Sequence, residues 1–118
     1  MDVSFFESSG IPRPKAEIKI EQVQVTPYSD GFRVHVHIIV TPFQERPNLV
    51  LVIHNEQDSI VSELNIIETM HHNMEFTMHL RGISHPVGVY SLTVELFYEN
   101  RIPAQDKKII GFKVEQSS

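Results

Sequence analysis

Residues 86–98, Pro-Val-Gly-Val-Tyr-Ser-Leu-Thr-Val-Glu-Leu-Phe-Tyr, begin as a turn and continue with side chains that alternate at period two. Tyr90, Leu92, Val94, Leu96 and Tyr98 must therefore share one face of a β-strand, and that face is the core side. The stretch reads as a central strand, around which the remaining segments are organised.

Six further segments carry strand patterns. Residues 16–26 place Ile18 and Ile20 on one face and then Val23 and Val25, a slip of phase at Glu21-Gln22 that predicts a β-bulge. After an Asp30-Gly31 turn, residues 32–41 alternate Phe32, Val34, Val36, Ile38 and Val40 inward against Arg33, His35, His37, Ile39 and Thr41 outward. Residues 48–54 are apolar on both faces, with Leu49, Leu51 and Ile53 assigned inward. Residues 59–69 set Ile60, Leu64 and Ile66 against Val61, Glu63, Asn65 and Ile67 and are expected to form a hairpin with the preceding strand. Met74, Phe76, Met78 and Leu80 define an inner face opposite Glu75, Thr77, His79 and Arg81. Residues 107–115 turn Ile110, Phe112 and Val114 inward.

Seven short strands separated by turn residues, with no helical period, predict an all-β, two-sheet sandwich with Greek-key connections over residues 16–115. Residues 1–15, punctuated by Ser8, Ser9, Gly10, Pro12 and Pro14, read as a flexible N-terminal arm that carries Val3, Phe5 and Phe6.

Leu80, Gly82, Pro86 and Gly88 leading into Tyr90-x-Leu92-x-Val94 resemble the approach to the sixth strand of immunoglobulin-like and fibronectin type III domains. The resemblance is architectural and spans residues 16–115. It implies an immunoglobulin-like fold and a tyrosine corner, in which the Tyr90 hydroxyl bonds to backbone a few residues upstream and has a structural role. With neither cysteine nor tryptophan, the chain departs from antibody-type domains.

Ten Lys and Arg against 15 Asp and Glu give a formal charge of −5, with no Lys/Arg cluster, so a nucleic-acid partner is not expected. The absence of cysteine removes disulfide and thiol chemistry and suits a reducing compartment. The start, Met-Asp-Val-Ser-Phe-Phe-Glu, is acidic where a signal peptide needs positive charge, and no run of about 20 apolar residues exists to span a membrane. A cytoplasmic location without membrane association is the expectation. There is no G-x-G-x-x-G, P-loop, H-E-x-x-H or N-x-S/T motif, and no cofactor is expected. The chain reads as non-enzymatic.

Three surfaces are candidates for function. Counting strand reversals brings three loops to one end of the sandwich, gathering Phe43, Arg46, Met70, His71, His72, Arg101 and Ile102, a mixture that resembles interface composition. The outward positions Val50, Val52, Val61, Ile67, Phe97 and Ile109 are expected to merge into an apolar sheet face, covered either by a second copy in a homodimer or by Phe5 and Phe6 of the arm. His35 and His37, about 6.7 Å apart along one strand face, with His79 on the neighbouring strand, are the candidate metal ligands. Ser84-His85, His71-His72 and the turn holding His54, Glu56 and Asp58 read as solvated polar residues.

The preferred reading is a non-catalytic protein-interaction domain that binds an unidentified protein through its loops or sheet face. The rivals are a metal-binding protein using the histidine cluster, and a small inhibitor or carbohydrate-binding module.

Overall fold

The computed structural model describes residues 10–116. Seven strands follow a short 3-10 turn at Lys15–Glu17: β1 (Ile20–Pro27), β2 (Arg33–Val40), β3 (Asn48–His54), β4 (Ile60–Ile66), β5 (Asn73–His79), β6 (Gly88–Phe97) and β7 (Asp106–Val114). They form two antiparallel sheets, ordered β1-β2-β5 and β4-β3-β6-β7. The chain passes between sheets after β2, β4 and β5, so this is the expected immunoglobulin-like Greek-key sandwich.

The period-two pattern builds the core. Val34, Val36 and Ile38 of β2 face Leu49, Leu51 and Ile53 of β3 and Leu92, Val94 and Leu96 of β6, all fully buried. Each such side chain contributes about 1.5–3 kcal/mol of burial, which concentrates stability in the central strands. At one end Tyr90, 4% exposed, donates its hydroxyl to Pro86 O at 2.6 Å. This is the tyrosine corner. Its ring stacks on Phe112 with centroids 5.5 Å apart. Gly31 closes the β1–β2 turn against the corner at φ +76°, where a Cβ would lie 2.9 Å from Pro86 Cγ, so the turn needs glycine for both conformation and space.

The bulge in β1 forms where the phase slips: Ile20 pairs with Val40 and Gln22 with Ile39, leaving Glu21 extra. The strand starts later than its pattern suggests, because Pro14 leads into the 3-10 turn. Side chains then close this flank against β7. Asp106 Oδ2 accepts Ile20 N–H at 2.7 Å, while Gln105 Nε2 donates to Lys15 O and Ile18 O at 2.8 and 2.7 Å.

Three placements differ from the sequence pattern. Phe32 is 39% exposed rather than core, because Asp30 Oδ1 takes its N–H and holds it in the turn ahead of β2. A second bulge reverses the phase at the start of β4. Ile53 pairs with Ser62 but His54 with Ile60, so Val61 is the extra residue, swings into the core at 6% exposure and leaves Ile60 outside at 59%. Finally, β4 stops at Ile66, ahead of Glu68 in the left-handed region at φ 47°. Val3, Phe5 and Phe6 of the arm lie outside the described residues. Of residues 10–15, Arg13 pairs with the β2–β3 loop, donating to Pro42 O at 2.8 Å and accepting from Gln44 N at 2.9 Å.

Candidate functional site

The β2–β3, β4–β5 and β6–β7 connections meet at the end of the sandwich where β3 begins. They are tied to one another. Val40 N donates to His72 O (2.8 Å) and Thr69 N to Pro47 O (3.0 Å). Asn48, the first residue of β3, spans two loops with one side chain: Oδ1 accepts Glu68 N–H at 2.8 Å and Nδ2 donates to Tyr98 O at 2.7 Å. Tyr98 in turn donates its hydroxyl to Glu45 O at 2.9 Å. Burial first, and the charge of Glu45 second, hold the Tyr98 hydroxyl above the ordinary tyrosine pKa.

The structure brings the seven loop candidates to this end but not onto one surface. Met70 and Ile102 project into solvent at 68% and 85% exposure, and Arg46 and His71 are also exposed. Phe43 packs against the core, and half-buried His72 keeps Nδ1 out of solvent without a hydrogen-bond partner among the described residues. Arg101 turns back over the sheet to Glu95 Oε1 at 2.8 Å. A shallow cleft of about 420 Å³ crosses the same end, lined by Lys15, Glu45, Arg46, Asn48, Glu68, Tyr98 and Glu99. Of these only Arg46 was legible as a site residue. Lys15 Nζ stands 5.4 Å from the Tyr98 ring centroid and 3.8 and 4.0 Å from Glu99 and Glu45. The loop lengths alone carry no signal for this arrangement, because it rests on a side chain from the arm reaching across two connections.

The histidines do not converge. His35 Nε2 meets Glu75 Oε1 at 2.8 Å, His37 Nε2 meets Asn73 Oδ1 at 2.6 Å, and His79 stands opposite Arg33 in the ladder. Among the described residues no group of three or more His, Asp or Glu side chains is placed to hold a metal ion. Ser84 and His85 line a cleft of about 440 Å³ at the opposite end, beside Phe32, Pro86 and Val87.

The expected apolar sheet face is corrected at three of its six positions. Val61 belongs to the core, and Val50 and Val52 are 3% and 5% exposed. They occupy the central strand β3, flanked by Asn65 and Glu63 of β4 and by Glu95 and Thr93 of β6, so neighbours on both sides shield them. Ile67 and Ile109 are exposed and Phe97 half-buried, on other strands and loops, so the patch is not continuous.

No family model matches the sequence, and no curated protein matches it. Solved structures do. A glycosyl hydrolase family 2 member from Bacteroides cellulosilyticus superposes with TM-score 0.58 at 15% identity, over 82% of this chain and 14% of its own. β-Glucuronidase from Bifidobacterium dentium, complexed with coumarin-3-O-glucuronide, gives 0.56 at 13% identity over 82% of this chain and 18% of its own. Apo β-glucuronidase from Ruminococcus gnavus gives 0.52 at 12% over 83% and 16%. The chain thus spans 14 to 18% of the length of these enzymes. At such identities the shared property is the sandwich fold.

Proposed function

We propose that this chain is a non-catalytic recognition module that docks a protein partner through the loop end bearing Ile67, Met70 and Ile102. One observation carries the reading: these three aliphatic side chains are 78%, 68% and 85% exposed on loops already fastened by backbone bonds and by Asn48. Apolar tips with a charged rim have the composition of an interface. Loops fixed beforehand lose less entropy on binding. The occurrence of the same fold as a small part of family 2 glycosyl hydrolases supports a module that works beside other domains. Sugar binding is less well supported, because the three tyrosine rings, the amphipathic faces best suited to stack on a sugar, are engaged. Arg33 covers Tyr28 at 4.4 Å, Lys15 covers Tyr98, and Tyr90 and Phe112 stack on each other.

The test is affinity capture with the unmodified chain and with Met70→Asp/Ile102→Asp, using Val89→Asp at the opposite end as control. The loop variant should keep its unfolding midpoint and lose the captured partner, which the control retains. Equal capture by all three proteins would remove the loop end from consideration.

A further inference from the structure

We propose that β5 is a dimerisation edge: two copies of this chain pair their β5 strands antiparallel about a two-fold axis at Thr77, joining two three-stranded sheets into one of six strands. The ladder determines which backbone groups face this edge. Leu80 N donates to Phe32 O and His72 O accepts from Val40 N, both at 2.8 Å, so the even-numbered residues of β5 direct their backbone groups to β2. Asn73, Glu75, Thr77 and His79 therefore direct theirs away from the sheet. Arg81, the next odd residue, does the same and donates to Val61 O at 2.8 Å.

Edges invite pairing unless they are guarded, and among the described residues β5 lacks the guards that the other three edges carry. In β1 there is a bulge at Glu21, and its Ile20 N–H is taken by Asp106. β4 has the bulge at Val61. Lys107, Lys108 and Lys113 line β7. The β5 sequence, Asn-Met-Glu-Phe-Thr-Met-His, has no proline, lysine or arginine, and its ladder to β2 runs without a register shift.

The edge is also complementary to itself. Pairing about Thr77 sets Glu75 opposite His79 of the second copy, and His79 opposite its Glu75, on the outer face. Glu75 Oε1 already meets His35, which leaves Oε2 for the incoming imidazole. On the inner face half-buried Phe76 comes beside Met78 of the second copy, covering apolar surface that the single sheet leaves open. The pairing ends at Glu75 and His79 because Val61 occupies the edge beside Arg81.

The chain has no cysteine, so Thr77→Cys introduces a lone thiol at the axis. Hydrogen-bonded antiparallel partners have Cα atoms about 5.5 Å apart, within disulfide reach. Under mild oxidation Thr77→Cys should become a covalent dimer, whereas Gln24→Cys on the outer face of β1 should not. In light scattering, the mass of the unmodified protein should rise with concentration from 13.6 kDa toward twice that value. Glu75→Lys should hold it at the monomer mass, and Glu75→Lys/His79→Glu should restore the rise. Matching circular dichroism and unfolding midpoints would show that the variants fold. A monomer at every concentration, equal crosslinking of the two cysteine variants, or a dimer indifferent to Glu75→Lys would overturn the proposal.

Discussion

Tyr90 fixes the approach to a central strand with one hydroxyl, bonded to backbone four residues upstream. Its bond to Pro86 O is short and partly buried, so Tyr90→Phe leaves a carbonyl without its donor and should cost about 1–3 kcal/mol, read as a lower urea midpoint with the fold retained. The same group should govern alkaline stability. Burial first, then the charge of Glu56, raises the Tyr90 pKa above 10.0, so the folded chain keeps this proton to higher pH than the unfolded chain does. The stabilisation is therefore intact below about pH 10 and is lost as pH rises through the folded-state value. As pH rises above about 10 the midpoint should fall, and should fall less in Tyr90→Phe. Parallel curves for the two proteins would assign the alkaline loss elsewhere, Tyr98 being the next group to examine. Alternation gave the face of Tyr90, and the corner was legible through the resemblance that Gly82, Pro86, Gly88 and Tyr90-x-Leu92-x-Val94 carry to immunoglobulin-like domains. Phe32 was not, since its parity is that of a core residue and only the Asp30 carboxylate shows that it sits in the turn.

At the scale of elements, the two bulges show when alternation can be trusted. In β1 the phase change falls between two clean pairs, Ile18 and Ile20 before it and Val23 and Val25 after it, so the slip announces itself. In β4 it falls at Ile60-Val61, two adjacent aliphatics that fit either face, and parity counted from Leu64 and Ile66 then selects the wrong one. The energetic consequence is asymmetric. Val61→Ala should cost about 1–3 kcal/mol through lost burial and the cavity left behind, whereas Ile60→Ala should fall within about 0.5 kcal/mol of no change. Denaturant midpoints of the two variants decide the matter; equal costs would mean that the β4 phase is unbroken. The β3–β4 turn beyond the bulge rests on Asn55, whose Oδ1 accepts both Gln57 N and Ser59 N at 3.0 and 2.9 Å. Those bonds, with Asp58 in the left-handed region at φ 63°, fix the hairpin that sends β4 off in the shifted register.

Across the whole molecule, topology was easier to read than surface. Strand parity alone placed three loops at one end, because each β-strand reverses the chain. What covers Val50 and Val52 was not legible, since it depends on which residues of β4 and β6 stand beside them, and register is a property of pairs of strands. Asn48 escaped notice for the same reason: nothing around a single asparagine after Pro47 indicates that it will join two distant loops. Yet its side chain is the fastening between the β4–β5 and β6–β7 connections, and the rigidity of the proposed docking surface depends on it. Replacing it with alanine leaves Glu68 N–H and Tyr98 O without these partners, at a cost of about 1–3 kcal/mol where water cannot substitute. Because the loops lie at the end of the sandwich, the central strands should stay folded while the loops open locally. Amide hydrogen exchange in Asn48→Ala should therefore quicken at Glu68 and Thr69 and through residues 99–105, with Leu51 and Val94 still protected. Asn48→Asp separates the two ties, because its carboxylate can accept from Glu68 N–H but cannot donate to Tyr98 O. Exchange should then quicken in residues 99–105 while Glu68 stays slow. Uniform acceleration across core and loops in both variants would instead make Asn48 an ordinary contributor to global stability.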